Sequence, residues 1–387
     1  MKRLLLFIFI GFQSVSAQES SLSYEGQIGL FNTAFTGKYI LNNGGFWDEQ
    51  DKQNILNKMD AENHFFYQGE SGLSYTNKNG WSIALKQKSL AYATYTKDLM
   101  QLGLYGNTPF LGEELALGPL QAGYYLYSEM ELGFKIQEHF RLTTAAIVGH
   151  QFANFNATTA NFYTAENGGY IDYNLELEAH YSEFKGADDI FGNNGTGAAL
   201  GIHYEKEEDG ALIRLSASDI GFIRWENKCT NLYIDTNYRF EGLPVNDLLN
   251  FNEDILQDEV DAIEGQFNAP VEDVYTWRMP VLLQAYYRKN LDHHFSAISL
   301  GAEHRVGLYT SPLLYANLHH EREKSKWSFG YHYGGMERAG VQFSYAVQCK
   351  KTEFRLYTRQ ANVFLPEEMY GLHIGFGIKK VFLSKGN

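Results

Sequence analysis

Apolar and polar residues alternate along much of the chain. Between Gln121 and Ile136, Ala122, Tyr124, Leu126, Met130, Leu132, Phe134 and Ile136 fall on one side, while Gln121, Gly123, Glu129, Glu131 and Lys135 fall on the other. The last strand pattern places Tyr370, Leu372, Ile374, Phe376 and Ile378 opposite Gly371, His373, Gly375, Gly377 and Lys379. Ile298, Leu300, Ala302, Val306 and Leu308 alternate likewise with Ser299, Gly301, Glu303, Arg305 and Gly307, with His304 interrupting the apolar side. Tyr173, Leu175, Leu177 and Ala179 do so with Asn174, Glu176, Glu178 and His180. A period of two marks β-strands, whose successive side chains point to opposite faces of a sheet. One face suits an apolar surrounding, and the other tolerates charge.

Soluble β-sandwiches also alternate, so strand length decides. Soluble strands typically run about 5–6 residues, whereas a tilted membrane strand needs roughly 9–11. Candidate strands lie at 22–33, 63–76, 80–96, 120–136, 139–153, 169–183, 195–206, 210–225, 230–241, 273–289, 295–309, 312–320, 326–335, 340–349, 352–360 and 368–382. They predict an all-β fold: a transmembrane antiparallel β-barrel of 14–16 strands with short helices in long loops. Closure is required, because hydrocarbon offers no partner to an unpaired backbone N–H or C=O. A barrel of this width is not filled by its own wall side chains, so its lumen must hold water, a plug or inward loops.

Bacterial barrels have short turns at one end and longer loops at the other. Residues 34–62, 97–119, 154–168 and 242–272 follow odd-numbered candidates, while 77–79, 137–138 and 226–228 are short turns after even ones. Residues 184–194 break the rule. The 242–272 insertion has helical spacing from Pro244 to Phe251 and from Glu253 to Glu264, many acids and no Lys or Arg. It reads as a solvated helical cap on the barrel mouth, or as an acidic docking or cation-attracting surface. A second short helix is expected at 48–60.

Composition narrows the classes. Hydrophobic residues at 44% and aromatics at 15% exclude a disordered chain. A mean hydropathy of −0.34 excludes a helical membrane bundle. A net charge of −14 opposes general nucleic-acid binding, which needs a basic face. Residues 1–17 read as an export signal: Lys2 and Arg3, an apolar run from Leu4 to Phe12, then Val15-Ser16-Ala17. Residues 18–387 are then one barrel domain, expected in the outer membrane of a Gram-negative bacterium with its lipid as partner. Cys229 and Cys349 lie far apart in sequence, and whether they pair stays open. Trp327, Phe329, Tyr331 and Tyr333, and Tyr275, Trp277 and Tyr287, suit aromatic girdles or ordinary wall packing.

Three features carry candidate chemistry. Unbroken alternation through Ile213, Leu215 and Ala217 would set Asp219 in hydrocarbon, so a bulge or membrane boundary is expected at 218–221, with Gly221 relieving the backbone. Pro280 sits inside a strand pattern where a closed barrel needs its missing N–H. It marks a local break, read either as a harmless bulge or as a side exit towards lipid. Inward charges, including Glu129, Glu131, Lys135, Glu303, Arg305, Glu353, Arg355, Arg359 and Lys379, either cross-link the lumen or line a path through it. His293, His294, His319 and His320 come as adjacent pairs, which alternation sends to opposite faces. No metal, cofactor or phosphate-loop motif is found, and no Ser-His-acid trio stands out. An enzyme is therefore not expected, and no cofactor is called for.

Lys97-Asp98-Leu99-Met100, Gly106-Asn107, the run from Tyr127 to Phe134 and the run from Ser218 to Trp225 together resemble a Bacteroidetes family of outer-membrane barrels of unknown function. That family is broadly similar to fatty-acid-transporter-type barrels. The resemblance implies passage or uptake of small or hydrophobic molecules and carries over no binding residue. The alternatives are a structural or secretion-associated partner protein and an outer-membrane hydrolase.

Overall fold

The computed structural model describes residues 20–40, 47–182, 192–241, 269–292, 294–308, 311–365 and 367–382. The strands are β1 (Ser20–Asn32), β2 (Glu62–Thr76), β3 (Ser82–Thr96), β4 (Glu114–Ala116), β5 (Leu120–Lys135), β6 (Phe140–Thr164) and β7 (Ile171–Ser182). They continue as β8 (Gly195–Glu208), β9 (Ala211–Trp225), β10 (Cys229–Phe240), β11 (Val271–Glu272), β12 (Tyr275–Arg278) and β13 (Leu282–Asn290). The remainder are β14 (Ala297–Arg305), β15 (Leu313–Glu321), β16 (Ser325–Gly334), β17 (Ala339–Cys349), β18 (Thr352–Thr358) and β19 (Gly371–Phe382).

Antiparallel pairing runs from β1 round to β19, and β19 returns to β1 from Ser20↔Phe382 to Phe31↔Gly371. The sheet therefore has no free edge around the wall, as hydrocarbon demands. Among the described residues the wall has fourteen strands, with β12 and β13 forming one of them against β9. Its outer face is apolar: Leu22, Tyr24, Leu85, Leu215, Leu300, Phe329, Leu356, Ile374 and Phe376 are all exposed.

Two of the sixteen candidates do not belong to the wall. β6 is long enough to do two things: Phe140 to Gly149 pair with β8, while Ala153 to Thr164 pair with β7. β7 pairs in turn with β10. The candidates at 169–183 and 230–241 thus extend the sheet past the wall at the long-loop end. Their alternation misleads because any two-faced antiparallel sheet alternates, inside a membrane or beyond it. With both removed from the wall, the loop rule holds, although residues 226–228, expected as a short turn, instead open the long connection from β9 to β12. Residues 184–194 lie within one long connection between β6 and β8, and residues 209–210 and 350–351 join wall strands tightly at the opposite end.

Helices α1 (Gly37–Ile40), α2 (Glu49–Lys58) and α3 (Lys97–Tyr105) lie in the first two long connections. Asp48 caps α2 by accepting from Asp51 N at 2.8 Å, and Thr96 caps α3 by accepting from Leu99 N at 3.2 Å. Ile55, Leu56 and Met59 pack with Tyr39 and Tyr95, and Leu99 and Met100 pack against that group. α2 occupies the region expected to be helical; α3 lies in a connection for which no helix was expected. The export-signal reading of 1–17 and residues 242–268 of the acidic insertion lie outside the described residues. At the end of that insertion, beyond its helical spacing, Val271–Glu272 is strand, paired with Thr230 and Asn231. Cys229 is buried and Cys349 exposed, and both are free thiols.

Of the expected girdle aromatics, Phe329, Tyr331, Tyr333 and Tyr287 point outward, but Tyr275 and Trp277 turn into the lumen. The break between β12 and β13 explains this. Trp277 and Met279 face inward and Leu283 and Tyr287 outward, so the inward parity inverts across Pro280.

A lipid-facing charge tests the assignment of faces. Leu300→Arg is expected to lower the stability of the barrel folded into vesicles by about 2–4 kcal/mol in urea titrations. Unchanged stability would contradict an outward Leu300.

Candidate functional site

The lumen is organised by two irregularities facing each other across the β9 edge. On β9 the register against β8 shifts between Leu200 and Ile202, and Asp219 takes a left-handed backbone (φ 60°). This bulge turns Asp219 inward while Ile220 and Phe222 resume the lipid face. Gly221 does not adopt the left-handed conformation. A Cβ there would lie 2.2 Å from Ala198 O, so glycine is required for close approach of the two strands. On the other side, pairing with β9 stops at Arg278↔Phe222 and resumes at Leu282↔Ser218. In between, Met279 N donates to Gly221 O at 3.0 Å, Val281 O accepts from Val306 N at 2.9 Å, and Pro280 has no N–H to give.

Inward charges meet at this level. Asp219 pairs with Lys88 at 3.0 Å and Arg305 at 3.4 Å. Lys88 also pairs with Glu129 at 3.0 Å, and Lys86 bridges Glu129 at 3.3 Å and Glu131 at 2.8 Å. Because Lys88 is on β3 and Asp219 on β9, this chain of charges crosses the lumen. A second chord runs from Glu303 on β14 to Arg359 at 3.0 Å, onward to Glu337 at 3.4 Å and His332 at 3.1 Å. Glu129, Glu303 and Glu337 are at most 5% exposed, so each carboxylate depends on these cations in place of water. Arg355 does not join the belt; it pairs with Glu25.

On the long-loop side of the belt lies an apolar cluster. Phe31, Phe66, Leu90, Tyr125, Phe152, Ile223, Trp225, Trp277, Met279 and Met336 form one buried cluster. Tyr125 on β5 stacks on Trp277 of β12 with centroids 3.7 Å apart, a contact across the barrel, and Phe152 stacks on Trp225 at 4.4 Å. On the short-turn side lies a cavity of about 810 Å³. Its open end is lined by turn residues such as Gly80, Glu138 and His139, and its inner end by Lys88, Glu129, Asp219 and Arg305.

The structure brings Asp219, Glu129, Glu131, Glu303 and Arg305 together, with Gly221 and Pro280 beside them in the wall. Lys86, Lys88, Glu337 and His332 were not singled out from the sequence. The two lysines were detectable, since Lys86 and Lys88 fall on the polar side of Ile83 and Leu85. Glu337 was not, because it lies in a connection without periodicity. His319 bonds Ser299 Oγ at 2.8 Å and His320 bonds the His294 carbonyl at 2.9 Å, so the neighbours turn to different partners. His293 is outside the described residues.

Asp219 is expected to hold the belt together. Asp219→Ala leaves Lys88 and Arg305 facing each other and removes a residue tolerant of positive φ. It should cost about 3–5 kcal/mol in urea unfolding from vesicles, with Asp219→Asn intermediate. An alanine variant as stable as the parent would contradict this.

The chain belongs to a family of unknown function, DUF5723, whose model matches residues 4–358. This agrees with the resemblance read from the sequence. The chain matches no curated protein. Among solved structures it is similar to the P. putida toluene transporter TodX, at 9% identity over 96% of this chain and 91% of that one, with a TM-score of 0.41. It is similar also to a Pseudomonas aeruginosa FadL homologue, at 10% identity over 95% and 90%, with a TM-score of 0.41.

Proposed function

We propose, for this member of a family of unknown function, an outer-membrane barrel that takes up small hydrophobic molecules at its long-loop end and releases them sideways through the wall break at Pro280. The observation that carries the reading is the division of the lumen. The apolar cluster ends at Met279, whose backbone forms the margin of the break, and the ionic belt begins at Asp219 on the opposite margin.

An apolar solute gains about 25 cal/mol for each Å² withdrawn from water, so it partitions among Tyr125, Trp277 and Met279. To continue along the axis it would have to part ion pairs that are themselves shielded from water, exposing unpaired charges to an apolar guest. The sideways route meets far less resistance, because the ladder already lapses between the Met279–Gly221 hydrogen bond and the Leu282↔Ser218 pair. Lipid lies directly outside, beyond Ile220 and Phe222. With short turns on the periplasmic side, as in outer-membrane barrels generally, the apolar half faces outward and the charged cavity opens to the periplasm.

Uptake of an apolar fluorescent naphthylamine by cells carrying the protein tests this. Cells with the parent protein should accumulate the tracer faster than cells without it. Pro280→Ala, which restores an N–H to the wall, should slow accumulation several-fold without loss of folded protein. Equal uptake by parent and Pro280→Ala cells would remove the side exit, and equal uptake with and without the protein would remove transport itself.

A further inference from the structure

We infer that Ser128 and His150 form a nucleophile and general-base pair on the lipid-facing side of the wall, suited to cleaving acyl esters of membrane phospholipids. Ser128 lies on the outward side of β5, in step with the exposed Met130. Polar groups at such a position need a reason, since hydrocarbon offers them nothing.

His150 reaches this serine through a bulge. Tyr127 pairs with Gly149 and Leu126 with Gln151, leaving His150 as the extra residue of β6. A bulge re-aims a side chain that regular alternation would fix. His150 Nε2 lies 2.7 Å from Ser128 Oγ, and its Nδ1 lies 2.7 Å from the carbonyl of Gly192. Asn194 secures that segment, its N–H donating to Gly149 O at 2.9 Å and its side-chain amide to His150 O. The histidine is 4% exposed and held at both nitrogens.

Proton bookkeeping fixes the direction of the chain. As placed, Ser128 donates to Gln87 Oε1 at 2.6 Å, while Gln87 Nε2 is buried with no partner among the described residues. That arrangement would need protons on both ring nitrogens, because Gly192 O can only accept. The two ends of an amide are distinguished only by their bonds. Turning Gln87 gives the chain one consistent direction: Nε2 donates to Ser128 Oγ, Ser128 donates to His150 Nε2, and His150 Nδ1–H donates to Gly192 O. The serine then faces a neutral imidazole in the tautomer that accepts its proton, with a backbone carbonyl in the place an acid holds in a triad.

The chemistry balances with water as the only co-reactant. Ser128 Oγ attacks the ester carbonyl while His150 Nε2 takes its proton, and Gln87 Nε2–H turns to the developing oxyanion. The ester C–O bond breaks as His150 returns the proton to the leaving alcohol. Water then attacks the acyl-serine, His150 takes and relays its proton to Ser128, and a fatty acid leaves. A phospholipid is the substrate because Ser128, half-buried, lies on the lipid-facing side beside the exposed apolar flanks of Leu85 and Met130, which can hold an acyl chain. This inference does not depend on the transport reading.

The full chain, folded into phosphatidylethanolamine–phosphatidylglycerol vesicles, provides the test. A fluorophosphonate dye should label Ser128, and fatty acid should be released over time. Ser128→Ala, which removes only a hydroxyl, should abolish both while keeping the heat-shifted gel mobility of a folded barrel. His150→Gln should slow release by about 100-fold or more. Fatty-acid release by the parent no greater than by folded Ser128→Ala, or labelling at another serine, would overturn the inference.

Discussion

A backbone immersed in hydrocarbon must pair every N–H and C=O within the protein, and the rest of this structure follows from that requirement. It closes β1 onto β19 and sets the apolar faces outward. It also gives meaning to the places where pairing lapses. In a wall that tolerates few unpaired groups, an interruption persists only where something else satisfies the backbone. At the break Met279 N still bonds Gly221 O on β9, and on the other side Val281 O accepts from Val306 N just past β14.

The same irregularities set the chemistry of the lumen, because each inverts which residues face inward. The β9 bulge moves Asp219 from the lipid side into contact with Lys88 and Arg305. The break at Pro280 turns Trp277 and Met279 inward to complete the apolar cluster. The bulge at His150 works in the opposite sense, bringing a histidine towards a serine on the outer face. One backbone device thus yields a charged belt, an apolar cluster and an outward polar pair.

The fold was largely legible because the period of two in segments such as 121–136 and 370–379 records the two environments directly. What alternation could not distinguish was a sheet in the membrane from one continuing past it, so β7 and β10 read as wall strands. For the lumen, the sequence marked Asp219 and Pro280 by their conflict with the local pattern. It did not mark the partners, since Lys88 and Asp219, or Arg359 and Glu303, meet only across the closed barrel. Nor did it mark the pairing of Ser128 with His150, which depends on one extra residue in β6. Gly221 was noticed, but for backbone freedom; its actual constraint is the approach of the Ala198 carbonyl.

The fourteen-strand wall, with β7 and β10 beyond it, is tested most directly by nitroxide scanning of the protein in vesicles. Labels placed singly along residues 298–303 should collide with lipid-soluble oxygen most at 298, 300 and 302 and least at the positions between, whereas labels along 172–177 should show no such oxygen maximum. An oxygen periodicity of two in both stretches, or in neither, would contradict this architecture.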